Sequence, residues 1–208
     1  PIKVDADQGL HPAALLRQVL PNGQYLILDE MYCDTGAEGL AEMVRECMAS
    51  RYPGFRLIGG LADPAGNART GNDADTETWI NAFNRHLNLT GRAQVRAADT
   101  NMPDKCIAAT VRRFRHLIDN AKPAVLISTR CRVLRKGLNS EYHYKRKAGD
   151  RNSYADLPVK KFPVSDICNA FEFGCLDEGG YQEVVGREAR KKGLNNGKPI
   201  KAAVEVSI

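Results

Sequence analysis

The chain has 208 residues, 43% of them hydrophobic and 26% charged. That supports one substantial core, is too little for two ordinary domains, and is far from the composition of a disordered polypeptide. No apolar run approaches the roughly 18 residues of a membrane-spanning helix, and the net charge of +5 permits a polyanionic partner without demanding one.

The opening PIKVDAD is short, alternating and acidic, unlike a signal peptide, and the missing initiator Met fits a piece of a longer protein. Residues 2–7 read as a strand, 11–20 (HPAALLRQVL) as a second and 24–30 (QYLILDE) as a third, with Pro-Asn-Gly turning the chain between the last two. Such short connections predict a three-stranded antiparallel meander. Residues 35–52 have helical spacing, with Leu40, Met43, Val44, Cys47 and Met48 on one face. FRLIGGLAD (55–63) is too apolar for an edge strand and belongs inside a sheet.

A short helix follows over 76–87, with Trp79, Ile80 and Phe83 inward, then a short strand near 94–97. Pro103 opens a helix predicted to reach Asp119, with Ile107, Val111, Phe114 and Leu117 at helical spacing. AVLIS (124–128) is a strand, 131–138 a short helix, and 141–146 one arm of a hairpin returning near 152–157. Residues 165–176 form a last apolar helix. The chain thus divides into one domain over 1–178 and a basic, flexible tail over 179–208. A meander followed by αβ crossovers gives an α/β fold: a mixed central sheet with helices on both faces. This order matches the RNase H-like fold.

Three carboxylates stand out by position. Asp7 ends the first strand, Asp63 ends the fourth, and Asp166 opens the last helix with Asn169 one turn on. Each has an ordinary use on its own, as a turn former or a helix cap. If the first and fourth strands are neighbours, however, Asp7 and Asp63 meet at one mouth of the sheet. Converging carboxylates repel unless a cation joins them, and hard oxygen donors select Mg²⁺ or Mn²⁺. Two such ions roughly 3.5–4 Å apart suit in-line hydrolysis of a phosphodiester. The six cysteines, at 33, 47, 106, 131, 168 and 175, include no CxxC spacing and read as buried reduced thiols.

The local sequences add a resemblance. DQGLHPAALLRQ (7–18) resembles the first nuclease motif of phage terminase large subunits; ADPAG, with Arg69 and Asp73, resembles the second, and KKFPVSDICNAFEF (160–173) the third. The resemblance spans about residues 2–176 and implies an RNase H-like nuclease that cuts concatemeric duplex DNA with two Mg²⁺ or Mn²⁺ ions. It implies Asp7 and Asp63 as metal ligands, with Asp5 as a supporting or alternative one. The third motif departs from the pattern: Asp166 falls where the family often has His, and Asn169 where it has a metal-binding Asp. Either residue is thus a candidate for the third ligand position. No GxxxxGK[ST] loop is present, so the family's N-terminal ATPase motor is absent from this chain. The small terminase subunit and the portal are the implied partners, and the cytoplasm of an infected bacterium the implied location.

Basic residues supply candidate DNA contacts. Lys160 and Lys161 open the stretch that resembles the third motif, and Arg132, Lys145 and Arg146 lie in a basic stretch interleaved with Tyr142 and Tyr144. Charge runs are more often solvated surface. Two rival readings follow: another nuclease of this fold, such as a junction resolvase, and a catalytically silent DNA clamp whose metal site fails at Asn169.

Overall fold

The computed structural model describes residues 1–9, 11–67, 77–119, 121–147 and 153–186. Its centre is the expected meander: β1 (Ile2–Asp7), β2 (Ala13–Val19) and β3 (Tyr25–Tyr32), each antiparallel to the next. Helix α1 (Gly36–Arg51) carries the chain back so that β4 (Leu57–Ala62) runs parallel to β1. Beyond β4 come α2 (Trp79–His86), the two-residue β5 (Arg96–Ala97) and α3 (Pro103–Arg115). The two-residue strands β6 (Leu117–Ile118) and β7 (Lys122–Pro123) pair with each other, and β8 (Val125–Ile127) joins β3 in parallel. The main sheet has the order β5-β4-β1-β2-β3-β8, and both its faces are covered by helices. This is the RNase H-like arrangement. The chain continues through α4 (Arg132–Lys136), a π-helical turn (Gly137–Glu141), the hairpin β9 (Tyr144–Arg146) and β10 (Tyr154–Pro158), and α5 (Val164–Leu176).

The period-two pattern of β1 explains how it sits. Ile2, Val4 and Ala6 enter the core beneath α1 and α2, while Lys3, Asp5 and Asp7 face α5. A central strand with a charged inner face is expensive unless every charge is partnered. Arg17 of β2, 1% exposed, answers Asp5 through Nε (2.5 Å) and Nη2 (3.1 Å) and reaches Asp177 (2.6 Å). Lys3 pairs with Asp177 at 2.6 Å and with Glu178.

A bulge in β4 completes this arrangement. The ladder steps from Val4↔Gly59 to Ala6↔Ala62, so two residues of β4 oppose Asp5 alone. The Leu61 N–H released by the bulge donates to Asp5 Oδ1 at 2.9 Å. Glycine is required beside it: a Cβ at Gly60 would lie 2.0 Å from Asp5 Oδ1. Gly174 of α5 does the same from above, with a Cβ that would lie 2.7 Å from Oδ2.

Helix α5 is buried nearly all round, as an apolar helix between a sheet and other helices must be. All of it except Asp166 and Asn169 is buried. The structure corrects two expectations. Helix α3 ends at Arg115, four residues early, and packs through the small residues Cys106, Ala109 and Thr110. Val111, Phe114 and Leu117 stay 39, 40 and 48% exposed. Small residues allow the close approach of α3 to α5, and its larger ones flank a cavity of about 680 Å³ towards β8 and the β9–β10 hairpin. The second correction concerns the tail. Residues 180–186 are helical, Val184 is buried in the core, and Arg112 pairs with Glu183. Residues 187–208 lie outside the described residues.

Candidate active site

Parallel pairing of β1 and β4 puts both carboxyl ends at one edge of the sheet. The Asp63 N–H donates to the Ala6 carbonyl at 3.2 Å, which fixes Asp63 beside the end of β1. Asp63 also serves its local turn: Oδ1 accepts the Ala65 N–H at 2.9 Å and the Asn101 amide at 3.3 Å. Asp7 points up towards α5 and is 5% exposed. There Asn169 Nδ2 donates to Asp7 Oδ2 at 3.0 Å, while Asn169 Oδ1 accepts from the Tyr142 hydroxyl at 3.0 Å. Asp166 lies one turn earlier on the same helix, its Oδ1 3.4 Å from Ser165 Oγ.

The electrostatics tie these groups together. Burial is the main cause that pushes the Asp7 carboxyl up to about 7; Asp63 and Asp166 raise it further, while the Asn169 hydrogen bond and Lys160 oppose. Burial also raises Asp166, against Lys160. Glu172, one turn beyond Asn169, was not picked out by the sequence. It is buried, and burial pushes it up to about 8, with Tyr142 and Lys160 opposing and Asp7 adding. Tyr142 thus bears on Glu172 and donates to Asn169, which in turn donates to Asp7, so these residues share one polar network.

The expected site residues therefore separate. Asp7, Asp63, Asp166, Asn169 and Lys160 share one electrostatic neighbourhood. Asp5, the expected supporting or alternative ligand, does not share that neighbourhood: Arg17 and the Leu61 N–H engage its carboxylate. Lys161 pairs with Glu141 at 3.1 Å, and Glu141 also takes Lys136 at 2.7 Å. Arg132 is exposed at the start of α4, whose Val133 and Leu134 N–H groups are capped by Glu30 at 2.6 and 2.8 Å. Lys145 and Arg146 are exposed on β9, with the Arg146 guanidinium 5.8 Å from the Tyr154 ring centroid. Arg69, Asp73 and the tail lysines lie outside the described residues.

Among the described residues, no three Asp, Glu, His or Cys side chains stand close enough together to hold a metal as they are. The donor set nevertheless fits a hard divalent cation in chemistry. It is all oxygen, and Asp7 is held near neutrality beside two other carboxylates, a site in want of positive charge.

The fold and this acidic mouth define a class, the α/β proteins of RNase H-like architecture. No protein-family model matches the chain, nor does any curated protein. Among solved structures it is similar to the large terminase of a thermophilic bacteriophage, determined in complex with ATP-γ-S. That similarity has a TM-score of 0.52 and 18% identity, and covers 83% of this chain and 38% of that one. The large terminase nuclease domain of bacteriophage SPP1 with bound Mn aligns at a TM-score of 0.49 and 13% identity, over 83% of this chain and 84% of that one. The chain shares the fold found in the first of these, and spans under half of that protein's length.

Proposed function

We propose that this chain is the nuclease part of a phage DNA-packaging terminase, a Mg²⁺- or Mn²⁺-dependent endodeoxyribonuclease acting on duplex DNA with little sequence preference. One observation carries the reading. Asp7 and Asp63 end adjacent parallel strands, and the two residues of α5 left unburied, Asp166 and Asn169, lie at the same mouth.

Asp7, Asp63 and Asp166 would hold the metal, with Asn169 available through its carbonyl. A divalent ion so held supplies a Lewis acid for phosphate oxygens and lowers the pKa of water. The chain's own residues do the rest. Tyr142 and Asn169 orient the Asp7 carboxylate. Lys160, whose charge already opposes the acidic groups, meets the DNA phosphate, and Lys161, Arg132, Lys145 and Arg146 extend contact along the backbone. An ATPase motor, the small terminase subunit and the portal complete the assembly, in the cytoplasm of an infected bacterium.

Plasmid cleavage against Mg²⁺ and Mn²⁺ concentration tests this, with Asp63→Ala and Asp166→Ala alongside. Metal-dependent cutting lost in both variants is the expected result. A second reading, a DNA clamp without cleavage, draws on one feature: Asn169 turns an N–H, not an oxygen, towards Asp7. Intact DNA binding with no cutting at any metal concentration would leave the clamp standing and the nuclease reading refuted.

A further inference from the structure

Three aromatic rings from separate parts of the chain converge beside the acidic mouth. Phe162 precedes α5, His11 precedes β2, and Tyr32 ends β3. The Phe162 ring centroid lies 4.4 Å from that of His11, with the planes tilted by 38°, and meets Tyr32 edge-on at 5.6 Å. Yet Phe162 is 45% exposed and Tyr32 38% exposed. One side of Phe162 is therefore backed by protein while much of its surface faces water. His11 is half-buried, and its Nδ1 is buried without a hydrogen-bond partner, so the ring is fixed by packing rather than by a polar contact. A half-exposed ring held by two others is a prepared surface rather than a loose side chain.

Its surroundings are those of a nucleotide. Lys160, two residues before Phe162, bears on Asp7 and Asp166, and His11 lies within electrostatic reach of Asp166. A phosphate drawn to Lys160 would bring its base within range of the Phe162 ring. Bases inside a duplex have both faces covered, and exposing one means unstacking the helix at a cost. An unpaired base offers its face freely, and every base has one, so stacking is tolerant of sequence.

We propose that Phe162, seated on His11 and edged by Tyr32, is a stacking platform for an unpaired nucleobase, giving the chain a preference for DNA with a single-stranded end or gap beside the acidic site. The proposal rests on the nucleic-acid reading above but not on cleavage.

The test uses the full chain with Asp63→Asn, in Ca²⁺, so that no strand is cut. The probes are a blunt hairpin duplex and the same duplex with a short overhang carrying aminopurine, a fluorescent adenine analogue. The background chain binds the overhang duplex more tightly and quenches the aminopurine. Adding Phe162→Leu, which keeps apolar bulk but removes the ring, weakens overhang binding about tenfold and abolishes quenching. Blunt-duplex affinity changes less than about twofold, which also reports an intact fold. Phe162→Trp restores both signals. Equal affinity for the two duplexes, or quenching unchanged by Phe162→Leu, overturns the platform. Plasmid cleavage by the unaltered chain is scored separately, so failure of the nuclease reading and failure of the platform are distinguishable.

Discussion

At the scale of single residues, Asn169 decides most. Its amide bridges Tyr142 and Asp7 with the donor towards the carboxylate. Asn169→Asp removes that donor and sets a carboxylate against Asp7. Without metal, the variant should be less stable by about 1–3 kcal/mol. With Mn²⁺, its melting temperature should rise more than that of the unaltered chain. An equal Mn²⁺ response in calorimetry would place Asn169 beyond the reach of the cation. Asp7 gives a pH dependence of definite sign. It ionises near its ordinary 3.8 when unfolded but only at about 7 in the fold. The cation-free fold therefore loses stability as pH rises between those values. Mn²⁺ needs the ionised form, so its stabilising shift should be larger at about pH 8 than at about pH 5. A shift independent of pH would remove Asp7 from the ligand set. The sequence made Asp7 and Asp63 legible because each closes an apolar strand, where a charge stands out. Glu172 was hidden because it lies between Phe171 and Phe173, inside a run that reads only as a packed helix. The signal that could have exposed it is spacing: 166, 169 and 172 recur every three residues along one side of α5.

Among the elements, β1, β2 and α5 are joined by the buried group Lys3, Asp5, Arg17 and Asp177. Replacing Arg17 with Met strands Asp5 in the interior, while Asp177 keeps Lys3, and should cost about 3–5 kcal/mol by urea unfolding. A loss below about 1 kcal/mol would mean that the carboxylate neutralises or reaches water instead. The same group sets an acid limit. Burial pushes Asp177 up, but Arg17 and Lys3 more than reverse this and hold it at about 2. A depressed carboxylate stabilises the fold above its unfolded value and loses that contribution as pH falls to the folded one. On the order of 2 kcal/mol should therefore disappear between about pH 4 and pH 2, and not in Asp177→Asn. Periodicity located the strands and helices of this layer well, since two-sided burial and a 3.6-residue repeat are local properties. It failed at α3. Ile107, Val111 and Phe114 keep the helical repeat but front a cavity, and the backbone leaves the helix at His116, so Leu117 falls in β6. Periodicity shows that a face is apolar, and cannot show whether a neighbour covers it.

For the whole molecule, the meander and crossover were legible because short turns and one apolar inner strand leave few topologies. The helix at 180–186 was not, since Gly179 and Gly180 read as an ending. At this scale the relevant charge is a field. Lys160→Ala should weaken duplex binding alike for all sequences and reduce the salt dependence of log affinity by about one unit of slope. An unchanged slope would remove Lys160 from the phosphate path. The charged face of β1 carries a last implication, for folding. Sliding a strand by two residues keeps every apolar side chain on its proper side, so hydrophobic patterning cannot detect the error. Here the order Lys3, Asp5, Asp7 can. Lys3 already stands opposite Arg17 in the native ladder, and Arg17 reaches past it to Asp5; a shift that put Lys3 in the place of Asp5 would leave that guanidinium facing an ammonium, and a shift the other way would set Asp5 against Asp177. The charges beneath α5 thus proofread the register of the strand that delivers Asp7.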